Sequence, residues 1–587
     1  MLSESEQVVL DAISLETPLE LIEAFSQMRR EDPEDVRAAC EYLVTQLRQH
    51  GVPVELHTPE LYLSIPRSAS VQIAGHSFPA KPMAMSASVP AGLRAALIHQ
   101  PSTYADDADE MFSLALLGEA VEVRGKLVVT EGFGMPGKVM ELEARGALGV
   151  IAVNPGARAH WGICTSIWGT PDLDSLPRKP GIPVVSVNRA DGEALFQAAA
   201  RGEEVTLTTH LDEGWYPSPI PVVTLEGRED PESFVLLHGH YDAWDVGVGD
   251  NATGDATLLE IARVLHLNRA HLRRTVKIAW WPGHSTGRYA GSTWYADRFA
   301  LELSEHCVAQ INCDSPGCRD ATEYQDVSWS PEAATLAKAV ILDVTGQPAY
   351  GERPPRAGDY SFSNLGLSGY FMLLSTMPDA LRAQKGYYAV GGCGGNIAWH
   401  TEDDTLAVVD RDILLKDMHI YALGVLRAAN ATTLPLDFQH TLDDFEATLA
   451  RYAGACAGHF DFAPAHQELS RLRAALRALE AHARTLEGES LGADRVREVN
   501  AALLTLARLL TRVNFTRASP YFHDPAVSVP PLPDLAPALE IAGAPEASRG
   551  FYRTHLTRGQ NRLIATLRDA WRTVHAALPI PGPLTPR

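Results

Sequence analysis

Residues Phe234–Glu260 read FVLLHGHYDAWDVGVGDNATGDATLLE, and the rest of the chain is organised around them. Phe234-Val235-Leu236-Leu237 is an apolar run with the composition of a buried strand. His238, His240, Asp242 and Asp245 form a polar elbow. Gly247, Gly249 and Gly254 carry the chain past Asp250 and Asn251. From Ala256 onward, Leu258, Leu259, Ile261, Val264 and Leu265 recur as a helix face does. Strand end, glycine-rich loop and helix start is where open α/β sheets place their sites. His240 and Asp250 supply an imidazole and a carboxylate, both ligand types for zinc or a related ion. Asp242 is placed to orient the His240 ring from behind. The plain alternative is a hydrogen-bonded surface pair followed by ordinary Asn/Gly turn chemistry, so the metal reading needs further ligands downstream.

The 587 residues exceed what one core holds, and about two to four domains are expected. A composition of 45% hydrophobic and 21% charged residues is that of a globular protein. The net charge of −23 argues against nucleic acid and against anionic membrane surfaces as partners. MLSESEQVVLDAISLETPLE lacks a basic region followed by an apolar core, so no signal peptide is expected. No apolar run reaches membrane-spanning length. The cysteines, Cys40, Cys164, Cys307, Cys313, Cys318, Cys393 and Cys456, are odd in number and lack CxxC spacing. That pattern fits a reducing cytoplasm. The N-x-T triplets at Asn251, Asn430 and Asn514 then carry no glycosylation.

The texture changes along the chain divide it into residues 1–90, 91–218, 219–433 and 434–587. In the first, Val36, Cys40, Leu43 and Leu47 share a helix face that Gly51 ends, and short strands follow at Val54–Ser64 and Val71–Ile73. These elements are expected to belong with the third segment. The second segment holds VRGKLVVTEG, KVMELEARGALGVIAVNP and GIPVVSVNRADGEALF, a small α/β unit. The third alternates strands, at Phe234–Leu237, Val276–Trp281, Val308–Ile311 and Tyr370–Leu374, with helices such as Glu332–Val344 and Asp410–Ala428. This predicts a mixed, largely parallel sheet with helices on both faces. The fourth is helical, with apolar stripes at Leu469, Leu472, Leu476 and Leu479, at Val496, Val499, Leu503, Leu506 and Leu510, and at Leu563, Leu567, Trp571 and Val574. Such stripes serve either internal packing or a dimer face.

Three further stretches complete a constellation. Asp314 follows the apolar run VAQIN, Asp359 lies in RAGDYSF before the strand GYFMLL, and His400 lies in NIAWHTEDDT. His240, Asp250, Asp314 and His400 are four groups of ligand type, each at the end of an expected element. Two metals bridged by one carboxylate need about this set and one more carboxylate. Cys313, Cys318 and Cys393 are close by in sequence and are read as small buried residues, with thiolate ligation the lesser alternative.

GHYDAW…GDNATGDATLLEIAR, NCDS and AWHTEDDT resemble the ligand segments of the zinc aminopeptidase and carboxypeptidase family that includes glutamate carboxypeptidase II and the transferrin receptor. The small unit at 91–218 resembles the protease-associated insert of that family, and the helical end resembles its dimerisation domain. The resemblance implies His240 and Asp314 on one zinc, His400 on another, Asp250 bridging both and Asp242 behind His240. It implies one or two zinc ions, with another divalent metal as an alternative. It also implies a homodimer and hydrolysis of an amide bond in a small peptide or an N-acyl amino acid.

One segment departs from the family. Where the family carries a Glu-Glu pair, general base then ligand, this chain reads IAWWPGHSTGRYAGSTWYAD, with His284 and Ser285 at the matching positions and one extra residue before Gly291-Ser292. Imidazole ligates metals and takes protons, so His284 can replace either glutamate but not obviously both. The same residues offer a rival. Gly283-His284-Ser285-Thr286-Gly287 fits the G-x-S-x-G nucleophile elbow, with Asp314 and His400 later in the order acid, His. That reading makes Ser285 the nucleophile and leaves His240 and Asp250 unexplained. A non-catalytic binding homologue is the third reading, and four retained ligand-type groups speak against it. Arg288, Tyr289, Arg356, Asp359 and Tyr360, with Arg353 beside them, are candidates to meet a substrate carboxylate or carbonyl.

Overall fold

The computed structural model of the chain describes residues 2–579 apart from Ala108, Asp109 and Ser113. In chain order its strands are β1 (Glu55–His57), β2 (Glu60–Ile73), β3 (His76–Pro82), β4 (Val89–His99), β5 (Leu127–Glu131), β6 (Gly149–Val153) and β7 (Val184–Val187). There follow β8 (Glu204–Pro217), β9 (Ile220–Leu225), β10 (Asp230–His240), β11 (Arg274–Trp281), β12 (Cys307–Asn312), β13 (Ser328–Trp329) and β14 (Gly369–Met372).

The apolar run Phe234–Leu237 is the inner half of β10, buried from Phe234 to His240. Its side chains alternate between two cores. Val235 and Leu237 join the large core on one face, while Phe234 and Leu236 join Ala279, Trp281 and Tyr295 on the other. A strand covered on both faces reads as continuous apolar sequence, as parallel strands do. The sheet order is β1-β9-β11-β10-β12-β14-β13. The central pairs β10–β11, β10–β12 and β12–β14 are parallel and the outer pairs antiparallel. The sheet is therefore mixed, parallel at its centre and antiparallel toward its edges, and flanked by helices as expected.

The remaining strands close into a barrel, β2-β3-β7-β6-β5-β4-β8. It takes in β2, which pairs with β8 from Glu60↔Pro217 to Gln72↔Thr206. The barrel thus begins at Glu60 rather than at residue 91. Of the strands within 1–90, only β1 pairs in the central sheet. The correction has a simple cause: β2 pairs with neighbouring β3 and also with β8, about 140 residues away, and local sequence does not name a long-range partner.

Helices Phe438–Ala455, Ala463–Arg484, Asp494–Phe515 and Arg549–Ala577 make up the C-terminal part. Its apolar stripes are largely buried within the chain; Leu472, Leu506 and Val574, for instance, lie in the same continuous core as the sheet. Buried Arg508 joins the two parts by donating to the carbonyls of Ser304, Gly366, Leu303 and Cys307. All seven cysteines are buried free thiols. Among the described residues no helix is long and apolar enough to cross a membrane.

Asp417, on helix Arg411–Asn430, is fully buried and accepts from Ser375 Oγ at 2.7 Å and Gly317 N at 2.8 Å. Burial pushes its carboxyl up from 3.8 to about 6. The folded state therefore binds this proton more tightly than the unfolded chain. Its contribution is most favourable below about pH 4 and is lost as pH rises through about 6. We expect Asp417→Asn to stabilise the protein at pH 8, by up to roughly 3 kcal/mol, and to do little at pH 4. Urea unfolding of both proteins at the two pH values checks this, and equal effects at both would refute it.

Candidate metal centre

The sheet register brings the candidate ligands together. His238 of β10 pairs with Asn312 of β12, so two residues further on His240 and Asp314 leave the sheet side by side. His240 also pairs with Trp281 at the end of β11, and His284 follows on the next turn. Asp250 arrives from the loop before helix Thr253–Leu267, and His400 from a loop on the far side of the cavity.

His240 Nε2 is 3.1 Å from Asp250 Oδ1 and 3.5 Å from Asp314 Oδ2. It is buried and has the alignment of a hydrogen bond with neither. His400 Nε2 is 3.1 Å from the other oxygen, Asp250 Oδ2. The His284 ring stacks on the His240 ring at 3.7 Å and 18°. One donor atom each from His240, His284 and Asp314 lie within 4.8 Å of one another. An imidazole nitrogen facing carboxylate oxygens without hydrogen-bond geometry is what a convergent ligand set leaves when its ion is subtracted. The donor set therefore fits zinc.

Each imidazole is held by its other nitrogen. His240 Nδ1 donates to the Asp242 carbonyl at 2.9 Å, His400 Nδ1 to the Trp161 carbonyl at 3.0 Å, and His284 Nδ1 to Asp359 Oδ2 at 2.8 Å. Such partners fix the tautomer and leave Nε2 pointing into the centre. For Asp242 this corrects the expectation: its backbone oxygen, not its carboxylate, holds the His240 ring. The carboxylate instead accepts from the His284 and Ser285 N–H groups, because the turn after β11 presents two free donors there. Asp404 holds the other ligand loop, accepting from Gly249 N at 2.7 Å and Asp250 N at 3.0 Å.

Charge follows this arrangement. Burial alone lowers the His240 imidazole, but Asp250 and Asp314 outweigh it and hold the ring well above its ordinary value. Burial alone raises Asp250, but His240 and His400 outweigh it and hold the carboxyl well below the usual range. Asp359 is lowered in the same way, with the nearby His284 outweighing burial. Asp242 is raised by burial, only partly offset by His240 and His284.

The centre opens into a cavity between barrel and sheet. Asp250, Asp314, His284, Ser285 and His400 line its floor, and Met83, Phe133, Met135, Trp161 and Ile163 bring the barrel to its wall. Arg288 and Tyr289 also line it, both at positive φ, 50° and 68°. Arg288 Nε and Nη2 are buried without hydrogen-bond partners. Asp359 sits behind His284, and Ser292 Oγ donates to its second oxygen at 2.6 Å. Arg356 does not line the cavity; it donates to the Asp524 carbonyl and lies over the Trp168 ring. Tyr360 is buried away from the cavity. Arg353 donates to the Asn514 carbonyl. Ser285 Oγ has no hydrogen bond to an imidazole among the described residues.

Sequence reasoning passed over three residues here. Trp161 exchanges two backbone–ring and backbone–backbone bonds with His400 and stacks on Trp244 at 5.5 Å. Trp399 stacks on the His400 ring at 3.7 Å. Asp404 had a signal, its place in HTEDDT, but nothing local says that it caps a loop some 150 residues away.

Residues 222–422 match the family described as Peptidase family M28. Aminopeptidase NAALADL1 of Rattus norvegicus is 25% identical over 321 residues, covering 48% of this chain and 42% of that protein. Carboxypeptidase Q of Rattus norvegicus is 28% identical over 188 residues, 30% of this chain and 39% of that protein. The chain thus spans less than half the length of these relatives. Among solved structures, the aminopeptidase from Aneurinibacillus sp. strain AM-1 superposes with a TM-score of 0.52 at 18% identity, covering 72% of this chain and 96% of that one. The Peptidase M28 precursor from Shewanella amazonensis SB2B gives 0.52 at 18% identity, over 73% and 97%. At that identity the likeness is one of fold.

Proposed function

We propose, on the premise that residues 222–422 belong to peptidase family M28, that this protein is a metal-dependent hydrolase of amide bonds in a small peptide or an N-acyl amino acid. The observation that carries the reading is the buried His240 Nε2, facing Asp250 and Asp314 without a hydrogen bond to either. Zinc suits the imidazole and carboxylate donors, and manganese or cobalt fits the same chemistry. When bound, the metal supplies Lewis acidity to the scissile carbonyl and to the attacking water. The rest falls to the chain. Among the described residues no glutamate lines the cavity, so proton transfer rests with imidazole, His284 or His400, each presenting Nε2. The barrel, which resembles a protease-associated insert, walls the cavity with apolar side chains. An apolar acyl or side-chain group suits that wall.

Arg288 sets the polarity of the other end. A guanidinium with two buried N–H groups unbonded is a receptor for a planar anion, and a substrate carboxylate satisfies it. We expect Arg288→Ala to raise KM for a substrate with a free carboxylate by roughly 10- to 100-fold, the worth of a charged hydrogen bond of about 1.5–3 kcal/mol. kcat should hold, and the amidated counterpart should show no such change. An equal change for both substrates would remove the assignment.

The function is tested by assaying protein stripped of metal, then reloaded with zinc, against dipeptides, N-acyl amino acids and aminoacyl anilides. Zinc-dependent release of an amine from any of them supports the reading. A protein that binds zinc and cleaves none of them favours a binding role. We also propose a homodimer in the cytoplasm. The exposed aromatics Tyr521, Phe522 and Phe551 offer surface for self-association, and light scattering at the mass of one chain at all concentrations would exclude it.

A further inference from the structure

We propose that the centre holds a single ion, bound by His240, His284 and Asp314, and that His400 lies outside its coordination sphere. The inference rests on reading the site as a metal centre, and it differs from the two-ion arrangement that the sequence resemblance implies.

Three observations carry it. First, His240, His284 and Asp314 are the one set of three or more ligand-type groups among the described residues whose donor atoms converge, all within 4.8 Å. Ligand atoms about 2.0–2.2 Å from a tetrahedral zinc stand about 3.3–3.6 Å apart, so the set closes by up to about 1.5 Å to complete the site. Second, His284 is built as a ligand. Its Nδ1 is on Asp359, whose other oxygen is held by Ser292. This is the carboxylate–imidazole pairing that orients metal-binding histidines and leaves Nε2 for the ion. Third, the second position is short of ligands. Around His400 Nε2 the structure offers Asp250 Oδ2 at 3.1 Å. Asp404, which holds the Asp250 loop, is occupied by the N–H groups of Gly249 and Asp250. Two ligands do not make a protein zinc site, which takes at least three.

Charge points the same way. Asp250 and Asp314 are the carboxylates that face the centre, and both are buried. Asp242 and Asp359 lie behind the ligands, their oxygens turned on N–H and O–H donors. Two facing carboxylates neutralise one divalent ion. A second ion would leave a net double charge among buried side chains, which is costly. Placing a neutral histidine where the resembled family has an anionic glutamate therefore removes one ion's worth of counter-charge and moves the third ligand on to the first ion.

The test is zinc binding to the metal-free full chain, followed by calorimetry, with cobalt substitution to read coordination by visible absorption. We expect one ion per chain. His284→Ala should abolish tight binding and change the cobalt spectrum, and Asp359→Asn should weaken binding by about 10- to 100-fold. His400→Ala should leave stoichiometry, affinity and spectrum as they are. Circular dichroism establishes that each variant is folded; should His284→Ala fail to fold, Asp359→Asn and His400→Ala carry the comparison. Two tightly bound ions per chain, or loss of zinc in His400→Ala with retention in His284→Ala, would overturn the proposal. No zinc binding by the wild-type chain would sink the metal-centre reading itself, an outcome distinct from a wrong ligand set.

Discussion

His240→Ala removes amide hydrolysis and the bound metal together, whereas Ser285→Ala leaves turnover of the same order as the parent: that is the expected result of the central pair of variants. His240 contributes the most buried imidazole nitrogen of the centre, and its loss removes the one ring that faces both Asp250 and Asp314. A metal held there would supply Lewis acidity, and that chemistry is lost with its ligand. The fall should therefore exceed the roughly 10²–10⁴ that one proton-transfer group contributes. A chelator should reproduce it and added zinc reverse it in the parent only. Ser285 enters this account through its backbone N–H, which donates to Asp242 Oδ2 and survives mutation to alanine. The serine elbow predicts the reverse pattern. Turnover that persists in His240→Ala and in chelator, but vanishes in Ser285→Ala, would establish the serine mechanism.

The second large effect is on stability. Arg30→Ala should cost about 3–5 kcal/mol and weaken metal binding, although Arg30 touches no ligand side chain. Its guanidinium is fully buried and donates to the carbonyls of Tyr241 at 2.8 Å, Phe25 at 3.1 Å, Val246 at 2.7 Å and Gly247 at 2.9 Å. Three of these belong to the loop between His240 and Asp250, so Arg30 fastens the N-terminal helices to the loop that carries both ligands. Burial lowers its pKa and the carboxyls of Asp255, Asp404, Asp242 and Asp250 work against that. Alanine takes the side-chain donor from all four carbonyls, leaving those of Phe25 and Gly247 only the N–H groups of Met28 and Ala252, and opens a cavity in the core. Arg30→Lys should recover less than half, because an ammonium is a point donor and cannot span carbonyls that a planar fork reaches. Urea midpoints and zinc affinities of the two variants check this. A stability unchanged in Arg30→Ala would show that water can replace the fork.

The apolar run before His240, the glycines around Asp250 and the helical spacing after Ala256 determine strand, loop and helix locally, and the sequence alone is enough to place a site there. The alternation of such units determines the parallel centre of the sheet, because each strand there must be covered on both faces. The candidate ligands were legible as well, since His and Asp at successive strand ends are few and conspicuous. What only the tertiary structure decided is contact between residues far apart in the chain. The pairing of β2 with β8 draws Glu60–Ile73 into the barrel. The His238↔Asn312 register sets His240 beside Asp314. The packing of the loop at Asp359 against the turn after β11 gives His284 its carboxylate partner, and the barrel gives His400 the carbonyl of Trp161. It also decided that Asp242 serves His240 through its carbonyl and the following turn through its carboxylate, a choice between two oxygens of one residue. Side-chain type and spacing are local properties and are written in the sequence. Which nitrogen of an imidazole faces the centre depends on what the folded chain places behind it.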